Sequence, residues 1–97
     1  MLDFFKEDED GELRAVDQVF YSEDKQWEWL DEHGFVFIDE NNRHKMFVSN
    51  TVRLSGWGGF IAVTSQIWDE EAEWEKRNIY KIRFYNCIND AVYAYKN

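Results

Sequence analysis

The sequence predicts an α+β fold: one small domain with a four- to five-stranded antiparallel sheet, a helix near 23–33 and a C-terminal helix near 87–96. Three observations lead there. Short runs of β-branched and aromatic residues, bounded by turn residues, recur along most of the 97 positions. Two segments instead repeat apolar residues at helical spacing, one between Ser22 and Gly34 and one after Asn86. Neighbouring strand-like runs joined by short turns imply antiparallel pairing. With no proline and no low-complexity linker, residues 1–97 read as a single domain.

Taken in order, Leu2, Phe4 and Phe5 begin a short strand that Asp10-Gly11 turns back, with Lys6–Glu12 otherwise an acidic loop. Leu13–Tyr21 gathers β-formers toward its end (Val16, Val19, Phe20, Tyr21) and reads as one strand. Ser22 is placed as an N-cap whose hydroxyl accepts from the free N–H groups of the next turn. Glu23 and Asp24 complement the positive end of that helix, and Gly34 stops it in the left-handed conformation. Trp27 and Leu30 share its apolar face, with Trp29 beside them. Phe35–Ile38 is the next strand, Asp39–Asn42 a turn cluster suited to positive φ, and Arg43–Val48 the returning strand.

Val52–Leu54 opens a further strand, and residues 55–59 form a glycine-rich turn holding Trp57. Phe60–Trp68 is the clearest strand, with Ile61, Val63 and Ile67 on one face and Phe60, Ala62 and Thr64 on the other. Asp69–Arg77 reads as one or two helical turns capped by Asp69. Ile79–Phe84 alternates, Tyr80, Ile82 and Phe84 inward and Lys81 and Arg83 outward. Ile88, Ala91, Val92 and Tyr95 define the last, amphipathic helix, with Asn86 as its cap.

Charge is the most unusual property of the chain. It carries 20 Asp and Glu against 11 Lys and Arg, a formal net charge of −9. The carboxylates come in blocks: residues 1–40 hold 14 against three bases, and Asp69, Glu70, Glu71, Glu73 and Glu75 crowd into seven positions. Residues 41–68 hold none. Such blocks give a strong negative field that repels nucleic acid and anionic lipid and attracts basic partners. Within the first helix, Asp24–Glu28 and Glu28–Glu32 are like-charged i,i+4 pairs, each costing ~0.2–0.5 kcal/mol. A face that repels itself points to a role for the acidic surface, the alternative being ordinary solubility charge.

Composition narrows the classes further. A hydrophobic fraction of 44% and an aromatic fraction of 19% suffice for a core, so wholesale disorder is not expected. A single Cys87 forms no internal disulfide and fits a reducing compartment. The N-terminus lacks the pattern of a secretory signal, and no apolar run approaches the ~20 residues that span a bilayer. A cytoplasmic, non-membrane protein is the expectation.

Catalytic and ligand chemistry finds little support. His33 and His44 have no HExxH or paired CxxC spacing for a metal, and His33 near a helix end complements the dipole. Cys87 borders a helix but reads as core. Gly56, Gly58 and Gly59 lack the following helix of a phosphate cradle. The acidic runs do not match a calcium-binding loop. No enzyme, cofactor or metal is expected. The expected site is instead a partner-binding surface made by Glu23, Asp24, Glu28, Asp31 and Glu32 of the helix with Asp69, Glu70, Glu71, Glu73 and Trp74, the last as apolar anchor. Its partner is a basic protein surface that handles nucleic acid; direct nucleic-acid or membrane binding is not expected. The alternative is a small-ligand or regulatory domain with an aromatic pocket near Trp57 and Phe60. In type, though by no motif, the chain resembles small acidic proteins that block nucleases and defence complexes: toxin-immunity proteins and phage anti-restriction and anti-CRISPR proteins, some of which mimic DNA.

Overall fold

The computed structural model describes residues 4–49 and 60–97. A short hairpin, β1 (Phe5–Glu7) and β2 (Leu13–Ala15), comes first, followed by β3 (Gln18–Phe20), helix α1 (Glu23–Glu32), β4 (Phe35–Glu40) and β5 (His44–Ser49). The longest pair is β6 (Ile61–Trp68) and β7 (Asn78–Tyr85), and helix α2 (Ile88–Lys96) closes the described chain. Strands β3 to β7 form one antiparallel sheet in the order β3-β7-β6-β5-β4, while β1 and β2 pair separately. This is the α+β architecture the sequence predicts.

Strand alternation sends the two sheet faces to different helices. The first face carries Phe47, Phe60, Ala62 and Ile82, and buries them with Leu30 of α1, Phe35 and Phe4. Phe47, Leu30 and Ile82 are the largest fully buried side chains. The second face carries Met46, Ile61 and Val63, packed with Ala91 of α2 and flanked by Val48, Tyr85, Val92 and Tyr95. Lys81 and Arg83, read as pointing outward, lie on this second face, opposite Ser65 and Val63. Each aromatic ring in the first core removes a large apolar area from water, which suits a domain short of core volume.

Several local expectations need correction. The strand expected over Leu13–Tyr21 is two strands in two sheets. After β2 the Val16 N–H bonds back to the Phe4 carbonyl at 2.8 Å, and the chain then crosses to the main sheet as β3. Ser22 does occupy the N-cap with extended backbone, yet its hydroxyl makes no capping bond. Trp27 is 36% exposed, and the helix buries Gln26 instead, whose amide nitrogen donates to the Lys81 carbonyl at 3.4 Å. Strand β4 runs on through Glu40, and the turn needs no positive φ outside glycine. The Asn41 side chain makes that turn, accepting from the N–H groups of Arg43 (2.8 Å) and His44 (2.7 Å). Cys87, not Asn86, occupies the α2 N-cap. Gly34 behaves as expected, with φ 78° just past the helix end. The strand expected at Val52–Leu54 and the turn around Trp57 lie outside the described residues.

Candidate functional site

The two acidic segments reach the surface by different routes. On α1, Gln26 and Leu30 turn inward with Trp29 half-buried, so Glu23, Asp24, Glu28, Asp31 and Glu32 are all left exposed. Two of them hold cations at long range: Glu23 meets Lys45 Nζ at 3.6 Å, and Glu28 meets Lys25 at 3.7 Å. Asp24, Asp31 and Glu32 make no ion pair among the described residues. Exposed pairs of this kind contribute at most about 1 kcal/mol each, so most of the helix charge remains available to a partner.

The second segment is the connection between β6 and β7. It is not an open acidic loop but a stapled one. The Asp69 N–H donates to the Arg77 carbonyl at 2.8 Å, closing its base, and Asp69 Oδ1 accepts from the Glu71 N–H at 3.0 Å. Arg77 Nε crosses the loop to the Ala72 carbonyl at 3.0 Å. One short 3₁₀ turn, Trp74–Lys76, replaces the one or two helical turns expected.

Trp74 stands on that turn with 73% of its surface exposed, which removes the reading of it as a lid over the core. The Arg77 guanidinium lies 5.4 Å from its ring centre, and Trp68, 50% exposed, meets it edge-on at 6.3 Å. The result is a pair of exposed indoles in fixed geometry, with Glu70, Glu71, Glu73 and Glu75 exposed around them. Trp68 is the residue that sequence reasoning missed. Its signal was its place as the last strand residue before an acidic turn, where an inward side chain is no longer required.

The segments meet at one point. Lys76 Nζ lies 5.8 Å over the ring of Tyr21, the residue just before the α1 N-cap. Glu23 and Asp24 are therefore near the stapled turn. Asp31 and Glu32 belong to the far end of a helix roughly 15 Å long. The Lys76–Tyr21 contact thus links the start of α1 to the turn that carries Trp74.

The remaining candidates have structural partners. His33 caps α1, stacks on Trp29 with ring centres 3.9 Å apart, and places Nδ1 2.8 Å from the Trp29 carbonyl. His44 Nδ1 donates to the Thr64 carbonyl at 2.9 Å. Phe60, expected beside an aromatic pocket, is 3% exposed and packed against Phe4, Phe5, Phe35 and Phe84, so its ring fills the core. Its expected companion Trp57 lies outside the described residues. Asp8 accepts from Arg14 Nε at 2.6 Å and from the backbone of Glu12 and Asp10. The Arg14 bond, then those backbone donors, hold its carboxyl below the ordinary range. Among the described residues no helix is long and apolar enough to cross a membrane. No protein-family model, curated protein or solved structure matches the chain.

Proposed function

We propose that the protein is a small acidic inhibitor that binds a basic protein partner and covers the surface with which that partner handles nucleic acid. One observation carries the reading: Trp74, largely exposed, held in place by Arg77 and Trp68 and surrounded by carboxylates. A rigid aromatic anchor within a polar rim is the usual anatomy of an interface hot spot. Because the turn is already stapled, little ordering entropy opposes binding. The carboxylates supply attraction at long range and, by standing where phosphates would stand, compete with nucleic acid for the same cleft. The mechanism requires no bond-making step.

The test is affinity capture from the native host at low and moderate salt, with the wild type and a Trp74→Ala/Glu73→Lys variant as baits. A nuclease or nucleic-acid-binding protein retained by the wild type and lost by the variant, and released from the wild type by excess duplex DNA, is the expected result. Retention that neither the variant nor DNA alters would overturn the proposal.

A further inference from the structure

The second sheet face is only partly covered. α2 seats Ala91, Val92 and Tyr95 over one end of it, at Met46, Ile61 and Val63. Beyond Val63 the face opens into a groove of about 940 Å³, floored by β6 and β7 and walled by the outer flank of α2 and the turn before β5. Its polar lining is cationic: Arg43, Lys81 and Arg83 against the single carboxylate Asp90, with His44 beside them. Its apolar lining is Val63, Ile67, Trp68, Ala94 and the rings of Tyr85 and Tyr93, and Ile67 (45%), Trp68 (50%) and Tyr93 (74%) stand exposed.

This concentration of positive charge in a chain of net −9 follows from pairing register. β6 and the turn before β5 come from the stretch without carboxylates, and β6 aligns Val63 with Arg83 and Ser65 with Lys81. Both cations are held by a carboxylate from outside the groove lining, Asp17, with Oδ2 3.4 Å from Lys81 Nζ and 3.5 Å from Arg83 Nε. At these distances the pairs are loose, and each cation keeps donors free for a second acceptor. His44 Nδ1 donates to the Thr64 carbonyl, which leaves Nε2 as the ring nitrogen not engaged by that bond.

We infer that this groove binds a small organic anion, a flat apolar body bearing one carboxylate or phosphate. The volume lies within the roughly 300–1,000 Å³ typical of small-ligand sites, and such sites pair apolar walls with a few placed charges, as here. A polyanion is a poor fit. Three fixed cations fall short of the ~6–10 phosphate contacts of a nucleic-acid site, and the net field of the molecule opposes a long negative chain. A single carboxylate or phosphate meets the cations locally while its body covers Ile67 and the tyrosine rings. The groove occupies the sheet face opposite α1; it shares Trp68 with the proposed partner surface, while its cations take no part in that proposal.

The experiment is an amide-resolved NMR titration of the full chain with 1-naphthyl phosphate, 1-naphthaleneacetate and the neutral 1-naphthalenemethanol. Saturable one-to-one shifts confined to β6, β7 and α2, with at least one anion binding about tenfold or more tighter than the alcohol, are expected from one charge-assisted contact. The tighter of the two anions identifies phosphate or carboxylate as the headgroup. Lys81→Gln/Arg83→Gln removes that tenfold preference and leaves the alcohol unchanged. Tyr93→Ala, at an exposed position that does not threaten folding, weakens all three probes. Shifts that map elsewhere, equal affinity for the alcohol and both anions, or affinities that neither variant changes would each overturn the inference.

Discussion

Replacing Trp74 by alanine separates binding from folding on one side chain. The ring is 73% exposed, so only about a quarter of it is covered by the rest of the chain. A large aromatic covers ~150–250 Å² when buried, so roughly 40–65 Å² is at stake here. At about 25 cal/mol per Å² that is ~1–1.5 kcal/mol, an upper estimate because unfolded chains also cover some surface. Loss of the Arg77 contact adds about 0.5 kcal/mol at so exposed a site. The expected folding cost is therefore below ~2 kcal/mol, against the ~3–5 kcal/mol of an aromatic removed from a core. If Trp74 is the anchor, partner binding falls by ~2 kcal/mol or more, which is about thirtyfold in Kd. Urea unfolding gives the first quantity and calorimetric titration against the captured partner the second. A folding loss of core size, or an unaltered Kd for the folded fraction, would refute the anchor assignment.

Phe47, 1% exposed on β5 in the first core, is the converse case: Phe47→Ala should cost ~3–5 kcal/mol in urea unfolding, a large share of the stability of a domain this size. The Asp8–Arg14 pair predicts a local acid transition. A carboxyl whose folded pKa is depressed contributes stability above its unfolded pKa and loses it as pH falls through the folded value, so amide-exchange protection of the β1–β2 hairpin should decline only below the ordinary carboxylate range; Asp8→Asn should abolish that pH dependence and leave the hairpin less protected at neutral pH. Plain duplex DNA should remain unshifted by the protein in an electrophoretic mobility assay at low salt, since the net charge is −9, and micromolar binding there would contradict the acidic-inhibitor reading.

The sequence was most informative where a physical constraint is local. Gly34 ends α1 because a positive φ favours few residue types, Ser22 stands at its start with extended backbone, and β7 announces itself by alternation over Ile79–Phe84. It was least informative where the outcome depends on contacts distant along the chain. Nothing between Leu13 and Tyr21 marks the change of sheet, because the break is imposed by Val16 bonding back to Phe4. Gln26 lies in the buried helix face because its amide reaches Lys81, 55 positions away. The acidic blocks were legible as composition, and Trp74 as an aromatic among charges. The closing bond between Asp69 and Arg77, which fixes Trp74 beside Trp68, depends on the β6–β7 register and was not. The cationic groove was hidden for the same reason: its residues are scattered from Arg43 to Tyr93 and meet only through strand pairing and the seat of α2.

The central claim is that carboxylates around Trp74 and along α1 draw the protein onto a basic surface. It is tested most directly by the association rate with the captured partner between ~50 and ~200 mM salt, measured for the wild type and for Glu70→Lys/Glu73→Lys and Glu28→Lys/Asp31→Lys. All four positions are exposed, so the substitutions should leave thermal stability nearly unchanged. The account predicts a wild-type rate that falls steeply with salt, and variants that associate more slowly and with a flatter salt dependence. A wild-type rate indifferent to salt, or variants that associate as fast as the wild type, would contradict it.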